Sequence, residues 1–434
     1  MKIGILSINA HTKVLNFASP LHTYAFWKFL EEHGIESTII DYKPVYFEKY
    51  DVRHPLFYHI DHPEKKLSEW KPILKKWKNL FYEREQRYDR FEEFIEKYYK
   101  KTGKCYTAEL MDTEDPGFDC YICASDVIWK NNMNYGFDRG YFLACRMLEG
   151  KKKIAYAGSR GSRAYTAEHA KQFFDYVSDM DYLSVREKSL QDYIRQNSSL
   201  PVSLVLDPVF FHEKEFYYEM ARPPKQNGYV LIYIVMERAR NLVRTAVGFA
   251  RHHNLEVIEL SEDLKDANIP KGTHHEVIYG IGVEDWLGYM QNASYIFTNS
   301  FHACCFSVIF GKQFFAGARS GDKIDSVLEM FELSGRRVLK NDPGTAIGMP
   351  DIDYDKVDIL RRKYIQESSD FILNAIHTLE ETEHQNHRDL VNEEIYTAED
   401  PVETEQKEQT EQKDYFRRFG RKIKKFFDRE DEEY

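Results

Sequence analysis

The sequence predicts an α/β chain of two doubly wound domains in tandem, and three observations carry that prediction. Short apolar β runs alternate with helical stretches along residues 1–345. A polar stretch around ARPPKQNG interrupts the alternation and divides it into two series. At 434 residues, 42% of them hydrophobic, the chain is too long for one ordinary core and apolar enough for two.

The opening reads as strand, loop, helix, strand. KIGILSI is a β run, NAHTKVLNFASP a polar loop, LHTYAFWKFLEEHG a helix closing on Gly34, and ESTIIDY the next strand. That βαβ unit puts its first loop at the carboxyl end of a parallel strand, where α/β folds bind ligands. Residues 45–104 depart from the pattern. They are dense in Lys, Glu and aromatics, with Phe91, Phe94, Ile95 and Tyr98 at helical spacing, and predict an inserted pair of amphipathic helices. DCYICAS, KKIAYAGS, YLSVRE and VSLVLDP then complete a first domain over 1–210.

The second series, over 225–345, has the β runs YVLIYIV, LEVIEL, HEVIYG, SYIFTNS and QFFAGA. Its helices include RNLVRTAVGFARHH and VEDWLGYMQNA. Two Rossmann-like domains in tandem, with no GxGxxG or P-loop, predict the GT-B arrangement, in which both domains face a central crevice. Residues 355–382 read as one more helix, packing back across the first domain. Residues 383–414 are rich in Glu and Gln and predict a disordered acidic linker. Within the basic tail, 415–434, the segment YFRRFGRKIKKFF (415–427) has six Lys or Arg and no acid. As a helix it gathers its Phe and Ile side chains on one face. It is expected to lie on an anionic membrane surface or to dock on the acidic body of the chain itself.

Net charge of −11 argues against a nucleic-acid binder that relies on a broad basic surface. MKIGILSI lacks the features of a secretory signal, and no stretch approaches the roughly 20 apolar residues of a membrane span. A cytoplasmic protein, peripheral at the inner face of the plasma membrane, is expected. Cys120 and Cys123 form one CxxC with no second to complete a zinc site, so buried structural thiols are expected. The 15% aromatic content suits cores with polar handles and faces that stack on sugars.

Four segments place polar groups at strand ends. ASDVIW offers Ser125 and Asp126, to hold a sugar hydroxyl or to cap a helix. YAGSRG offers Ser159 and Arg160 beside small residues that let a ligand approach. In LSVREKS, Arg186 follows a strand, to grip an oxyanion or to pair with Glu187 or another acid. In NSFHACCFSVIFGKQFFAGARSGDKID, Ser300 and His302 open a helix after a strand end, and Arg319 and Lys323 occupy the next loop. With Arg186 these form a predicted cationic cluster.

These segments resemble the polysaccharide pyruvyl transferase family. DCYICASDVIWKNN is similar to its G-S-D-Q-x-W-N element, KKIAYAGSRGS to K-I-x-Y-A-A-S-F-G, LSVREKS to S-V-R-E/D-x-S, and VLDPVFF to x-D-P-T. NASYIFTNSFHACCFSVIFGKQF is similar to A-x-x-V-x-T-D-S-F-H-G-x-x-F-S-I-x-F-x-K-P-F. The stretch NFASPLHTYAFWKFLEEHG, with Asn16, looks like a degraded N-Y-G-A-x-L-Q-A-Y-A-L. The resemblance runs from residue 1 to about 345. It implies a GT-B-like fold and transfer of pyruvate from phosphoenolpyruvate to sugar hydroxyls of a polysaccharide or a lipid-linked precursor, as a ketal. It implies catalytic roles for Arg186, His302 and Lys323, substrate contacts at Asn16, Ser125, Asp126, Ser159, Arg160, Ser300 and Arg319, and no metal or organic cofactor beyond phosphoenolpyruvate as co-substrate. Departures stand at Ala124, Val127, Arg160, Ala303 and Gln313, where the family has Gly, Gln, Phe, Gly and Pro. Two other readings share this fold: a glycosyltransferase using a nucleotide sugar, and a glycan-binding protein without catalysis.

Overall fold

The computed structural model describes residues 1–48, 51–53, 81–132, 135–161, 165–235, 239–261, 275–317, 322–338 and 343–395. In chain order the first domain comprises β1 (Ile3–Leu6), α1 (Ala18–Glu32), β2 (Ser37–Tyr42), α2 (Phe81–Tyr98), β3 (Lys101–Tyr106), β4 (Cys120–Asp126), β5 (Lys152–Gly158), α3 (Ala167–Val177), β6 (Tyr182–Val185), α4 (Lys188–Asn197) and β7 (Val202–Leu204). The strands form one parallel sheet in the order β3-β2-β1-β4-β5-β6-β7. β4 and β5 are buried along almost their whole length. That is why they read as unbroken apolar runs rather than alternating ones.

α5 (Lys214–Met220) leads into the second domain: β8 (Tyr229–Ile234), α6 (Arg240–His253), β9 (Val257–Ser261), β10 (His275–Ile278), α7 (Val283–Asn292), β11 (Ala293–Thr298), α8 (Phe301–Ile309), β12 (Gln313–Gly317), α9 (Lys323–Met330), β13 (Arg337–Val338) and α10 (Pro343–Ile347). Its parallel sheet has the order β10-β9-β8-β11-β12-β13. The fold is GT-B: two Rossmann-like sheets, each reversing its winding direction beside its first strand.

α11 (Tyr354–Glu381) crosses back to the first domain, as its sequence predicts. The Leu206 N–H donates to Ser368 Oγ at 2.9 Å, and Lys152 Nζ donates to the Leu379 carbonyl. Two strands escape the sequence reading. β3 starts within the stretch read as a purely helical insertion and runs two residues past its end. It is a mostly exposed edge strand, KTGKCY, and so carries no apolar alternation. β13 is only two residues long.

Of the predicted helix pair, α2 lies within the described residues, and residues 54–80 lie outside them. α2 ties the domains together. Arg90 Nη1 pairs with Asp285 Oδ2 at 2.6 Å, Lys97 Nζ with Glu284 Oε1 at 2.9 Å, and Arg87 donates to the Ser261 carbonyl at 3.0 Å. Gly282 opens α7 where a Cβ would lie 2.6 Å from Arg90 Cβ, so glycine permits that approach.

The predicted linker begins later than residue 383. His384 sets Nδ1 3.0 Å from Asp181 and Nε2 3.2 Å from Asp179. The His387 N–H donates to the Ser178 carbonyl at 2.7 Å, and Leu390, Val391 and Ile395 pack on the first-domain core. Composition obscured this, because polar and charged partners, not an apolar stripe, hold most of the strap. The basic segment 415–427 lies outside the described residues.

Among the described residues all six cysteines are free. Cys120 and Cys123 are buried, and burial pushes both thiols up to about 12. They are structural, as expected.

Candidate active site

The candidate residues gather at the carboxyl ends of both sheets. β4 ends on Ser125 and Asp126, β6 is followed by Arg186, and Asp207 comes three residues after β7. From the second domain, Ser300 follows β11 and caps α8, its Oγ accepting from the Ala303 N–H at 3.4 Å. That cap places His302 in the first turn. Lys323 is the first residue of α9.

Arg186 is the hub. Its side chain is only 1% exposed, and a guanidinium so buried needs counter-charge. Nη1 donates to Asp207 Oδ2 at 2.6 Å, Nε to Glu187 Oε1 at 3.1 Å, and Nη2 to Asp126. The Phe301 ring from the second domain covers it, with Cζ 4.2 Å from the centroid.

Asp207 then links the domains. Its Oδ2 accepts from Ser125 Oγ at 3.2 Å and lies 3.4 Å from His302 Nε2. Its Oδ1 accepts from the Val209 N–H at 3.2 Å. Burial alone would raise this carboxyl, but His302 and Arg186 hold it well below the usual carboxylate range. Asp126 is similar. Burial opposes its ionisation, yet Arg186 and Lys323, whose Nζ lies 3.8 Å from Oδ1, keep it well below its ordinary value. Glu187 goes the other way, raised by burial despite Arg186.

The cluster therefore differs from the predicted cationic one. Two buried carboxylates, Asp126 and Asp207, balance Arg186 and Lys323. The sequence hides this because the acids sit on separate strand ends.

His22 is a further member that sequence reasoning missed. It is buried on α1, with its ring stacked on His302 at 5.6 Å between centroids and 18° between planes. Its Nδ1 lies 3.5 Å from Ser7 Oγ, which hydrogen-bonds Thr23 Oγ1 at 2.6 Å. Burial lowers its pKa to about 4, with His302 and Arg186 acting in the same direction. His22, Asp126 and His302 bring three possible ligand atoms within 4.8 Å of one another. Arg186 and Lys323 both pair with Asp126 Oδ1, so the group is also part of a charge-paired network. The missed signals were modest: His22 among apolar residues of the first helix, and Asp207 in a D-P pair after a strand.

The structure brings Arg186, His302, Lys323, Ser125 and Asp126 together. Ser159 adjoins them, close enough to Glu187 to favour its charged form, and its Oγ accepts from the Gly161 N–H at 3.2 Å. Ser300 serves as the α8 cap. Asn16 stands just before α1, its Oδ1 accepting from the Ala18 N–H at 3.0 Å. Arg160 lies over Tyr193, with Cζ 5.0 Å from the ring centroid. The small residue before Ser159 makes room for a tryptophan, since a Cβ on Gly158 would fall 2.4 Å from the Trp129 ring. Arg319 lies outside the described residues.

Solved structures show distant likeness. A UDP-GlcNAc 2-epimerase from Neisseria meningitidis bound to UDP-GlcNAc aligns at TM-score 0.46 and 11% identity, covering 88% of this chain and 100% of that one. One from Methanocaldococcus jannaschii aligns at TM-score 0.44 and 12% identity, with 87% and 100% covered. A glycosyltransferase involved in avilamycin A biosynthesis aligns at TM-score 0.43 and 10% identity, with 89% and 100% covered. No chemistry is carried over at this distance. No curated protein sequence matches. The polysaccharide pyruvyl transferase family model matches residues 21–320, a span that includes His22, Arg186, Asp207 and His302. The chain belongs to the polysaccharide pyruvyl transferase family.

Proposed function

We propose that this protein transfers pyruvate from phosphoenolpyruvate to two hydroxyls of one sugar, forming a ketal on a bacterial polysaccharide or its lipid-linked precursor. The observation that carries this reading is the convergence of Arg186, Asp207, His302 and Lys323 from two domains of a chain in this family. The donor bears two kinds of oxyanion and an enol phosphate, so it needs cations for the first and an acid for the second. His302 is the acid that protonates the methylene carbon, and Asp207 orients its ring. Lys323, in a long ion pair with Asp126, is the cation that a donor oxyanion engages by replacing that carboxylate. Arg186, fixed by three acids, holds the other end of the charge network as negative charge moves to the departing phosphate.

The overall reaction balances without a further cofactor. The trianionic donor and a diol give a carboxylate-bearing ketal and hydrogen phosphate. One hydroxyl proton ends in the new methyl group and the other on phosphate.

Two parts of the reading lie away from the crevice. The acceptor is a glycan at the inner membrane face, and the basic segment 415–427 attaches the chain to anionic lipid there. Within the described residues no helix is long and apolar enough to cross a membrane. The test is phosphate release from phosphoenolpyruvate with p-nitrophenyl hexopyranosides as acceptors. Release should require both the acceptor and His302.

A further inference from the structure

His22 is placed to do chemistry that the reading above leaves unused. Its Nδ1 lies 3.5 Å from Ser7 Oγ, itself held by Thr23, while among the described residues its buried Nε2 has no hydrogen-bond partner. The ring lies nearly parallel to that of His302, and a nitrogen of each falls within 4.8 Å of the other and of an Asp126 oxygen. The charged groups facing it are Asp207, Asp126, His302 and Arg186. Burial outweighs the two carboxylates, so the imidazole is neutral near pH 7 and offers a basic lone pair. His302 Nε2 likewise makes no hydrogen bond among the described residues, but an Asp207 carboxylate oxygen lies 3.4 Å from it. Two stacked imidazoles in unlike environments divide naturally into acid and base.

We propose that His22 is the general base that takes the proton of the first acceptor hydroxyl, an inference that rests on the pyruvyl-transfer reading. The acceptor O–H bond breaks toward His22 Nε2, and its electron pair forms the bond to the donor's C2. The carbon–carbon π pair takes the proton from His302. When the C2–O(phosphate) bond breaks, phosphate leaves with that electron pair and collects the proton held by His22. The second hydroxyl closes the ketal and returns its proton to His302. Both histidines end as they began, and the proton count closes.

The experiment compares the wild-type chain with His22→Gln, which keeps a hydrogen-bonding amide but cannot carry a proton. Donor is phosphoenolpyruvate, acceptors are p-nitrophenyl hexopyranosides, and kcat and KM are followed from pH 6 to 9. We expect kcat to fall about 100-fold while KM for phosphoenolpyruvate stays within about threefold. The ratio of variant to wild-type kcat should rise about tenfold per pH unit above neutrality, as hydroxide replaces the missing base. A kcat close to wild type, or a loss of constant size at every pH, would overturn the inference and leave His22 a packing residue. Should His22→Gln not fold, His22→Asn gives the same comparison. Wild-type turnover with an unimpaired variant overturns this inference alone. A wild-type chain that releases no phosphate overturns the pyruvyl-transfer reading and this inference with it.

Discussion

His302 Nε2 and Asp207 Oδ2 lie 3.4 Å apart although they belong to different domains. The contact joins the first turn of α8 to the carboxyl end of the first sheet. It makes the crevice one electrostatic unit, in which an imidazole and a buried carboxylate come from opposite walls. Replacing His302 by Ala should lower kcat by a factor on the order of 100 to 10,000 with little change in donor affinity. Steady-state kinetics beside a binding titration with phosphoenolpyruvate checks both halves. Equal losses in affinity and turnover would show that His302 binds the donor rather than acting on it.

Arg186 and Lys323 should fail in different ways. Arg186→Ala strands Asp126, Asp207 and Glu187 in a buried site, a change that costs about 3–5 kcal/mol. Its main effect should be a large fall in Tm, seen by calorimetry. Lys323 is less buried and makes a longer pair with Asp126, so Lys323→Ala should keep its Tm within a few degrees and raise KM for phosphoenolpyruvate. A stable Arg186→Ala protein would contradict the hub.

How far the sequence could be read depended on what each element shows to its neighbours. Buried strands such as β4 and β5 announce themselves as apolar runs. Exposed β3 does not, nor does the strap over 383–395, which charge and backbone contacts hold. The site divided in the same way. Arg186, His302 and Lys323 stand at strand-to-helix junctions, so position alone marks them. Asp207 and His22 become visible only when the two sheets and α1 meet, because their ionisable neighbours in the cluster are distant in sequence. Asn16 accepts from the Ala18 N–H and Arg160 lies over the Tyr193 ring.

Stability should fall with acid earlier than carboxylate titration alone would require. Burial lowers His22 to about 4 and His11 to about 3, from an ordinary 6.5. Between those values and 6.5 the unfolded chain binds protons that the folded chain refuses. Folding stability from these groups is complete above pH 6.5 and drains away as pH falls toward 4 and then 3. The His22 part is about 3 kcal/mol at most. Asp126 and Asp207, held low, add stability that is present above about pH 4 and is lost below it. Urea denaturation from pH 7.5 to 5 should show the slope, and His22→Gln should flatten it. An unchanged slope would mean that His22 is not buried neutral.

Gly158→Ala tests the packing under the site. Its new Cβ would meet the Trp129 ring at 2.4 Å, so the indole must move, at a cost of about 1–3 kcal/mol. Thermal denaturation followed by tryptophan fluorescence reads both the loss and the shifted indole. A Tm equal to that of wild type would show that the ring moves freely.

Truncation separates the strap from the tail. Removing residues after Thr382 deletes the His384, His387 and Arg388 contacts to the first domain and should lower Tm by several degrees. Ending the chain after Ile395 should leave Tm unchanged yet abolish co-sedimentation with anionic vesicles at low salt. If the chain ending at Ile395 binds those vesicles as well as the full chain does, the basic segment is not the membrane element.

The most direct measurement follows phosphoenolpyruvate and a p-nitrophenyl hexopyranoside by phosphorus and proton NMR in the presence of the purified chain. Pyruvyl transfer predicts hydrogen phosphate and one new methyl singlet of a pyruvate ketal in equal amounts, both formed at least about 100-fold more slowly by His302→Ala. Phosphoenolpyruvate that stays intact with every acceptor, or glycosyl transfer from a nucleotide sugar instead, would contradict it.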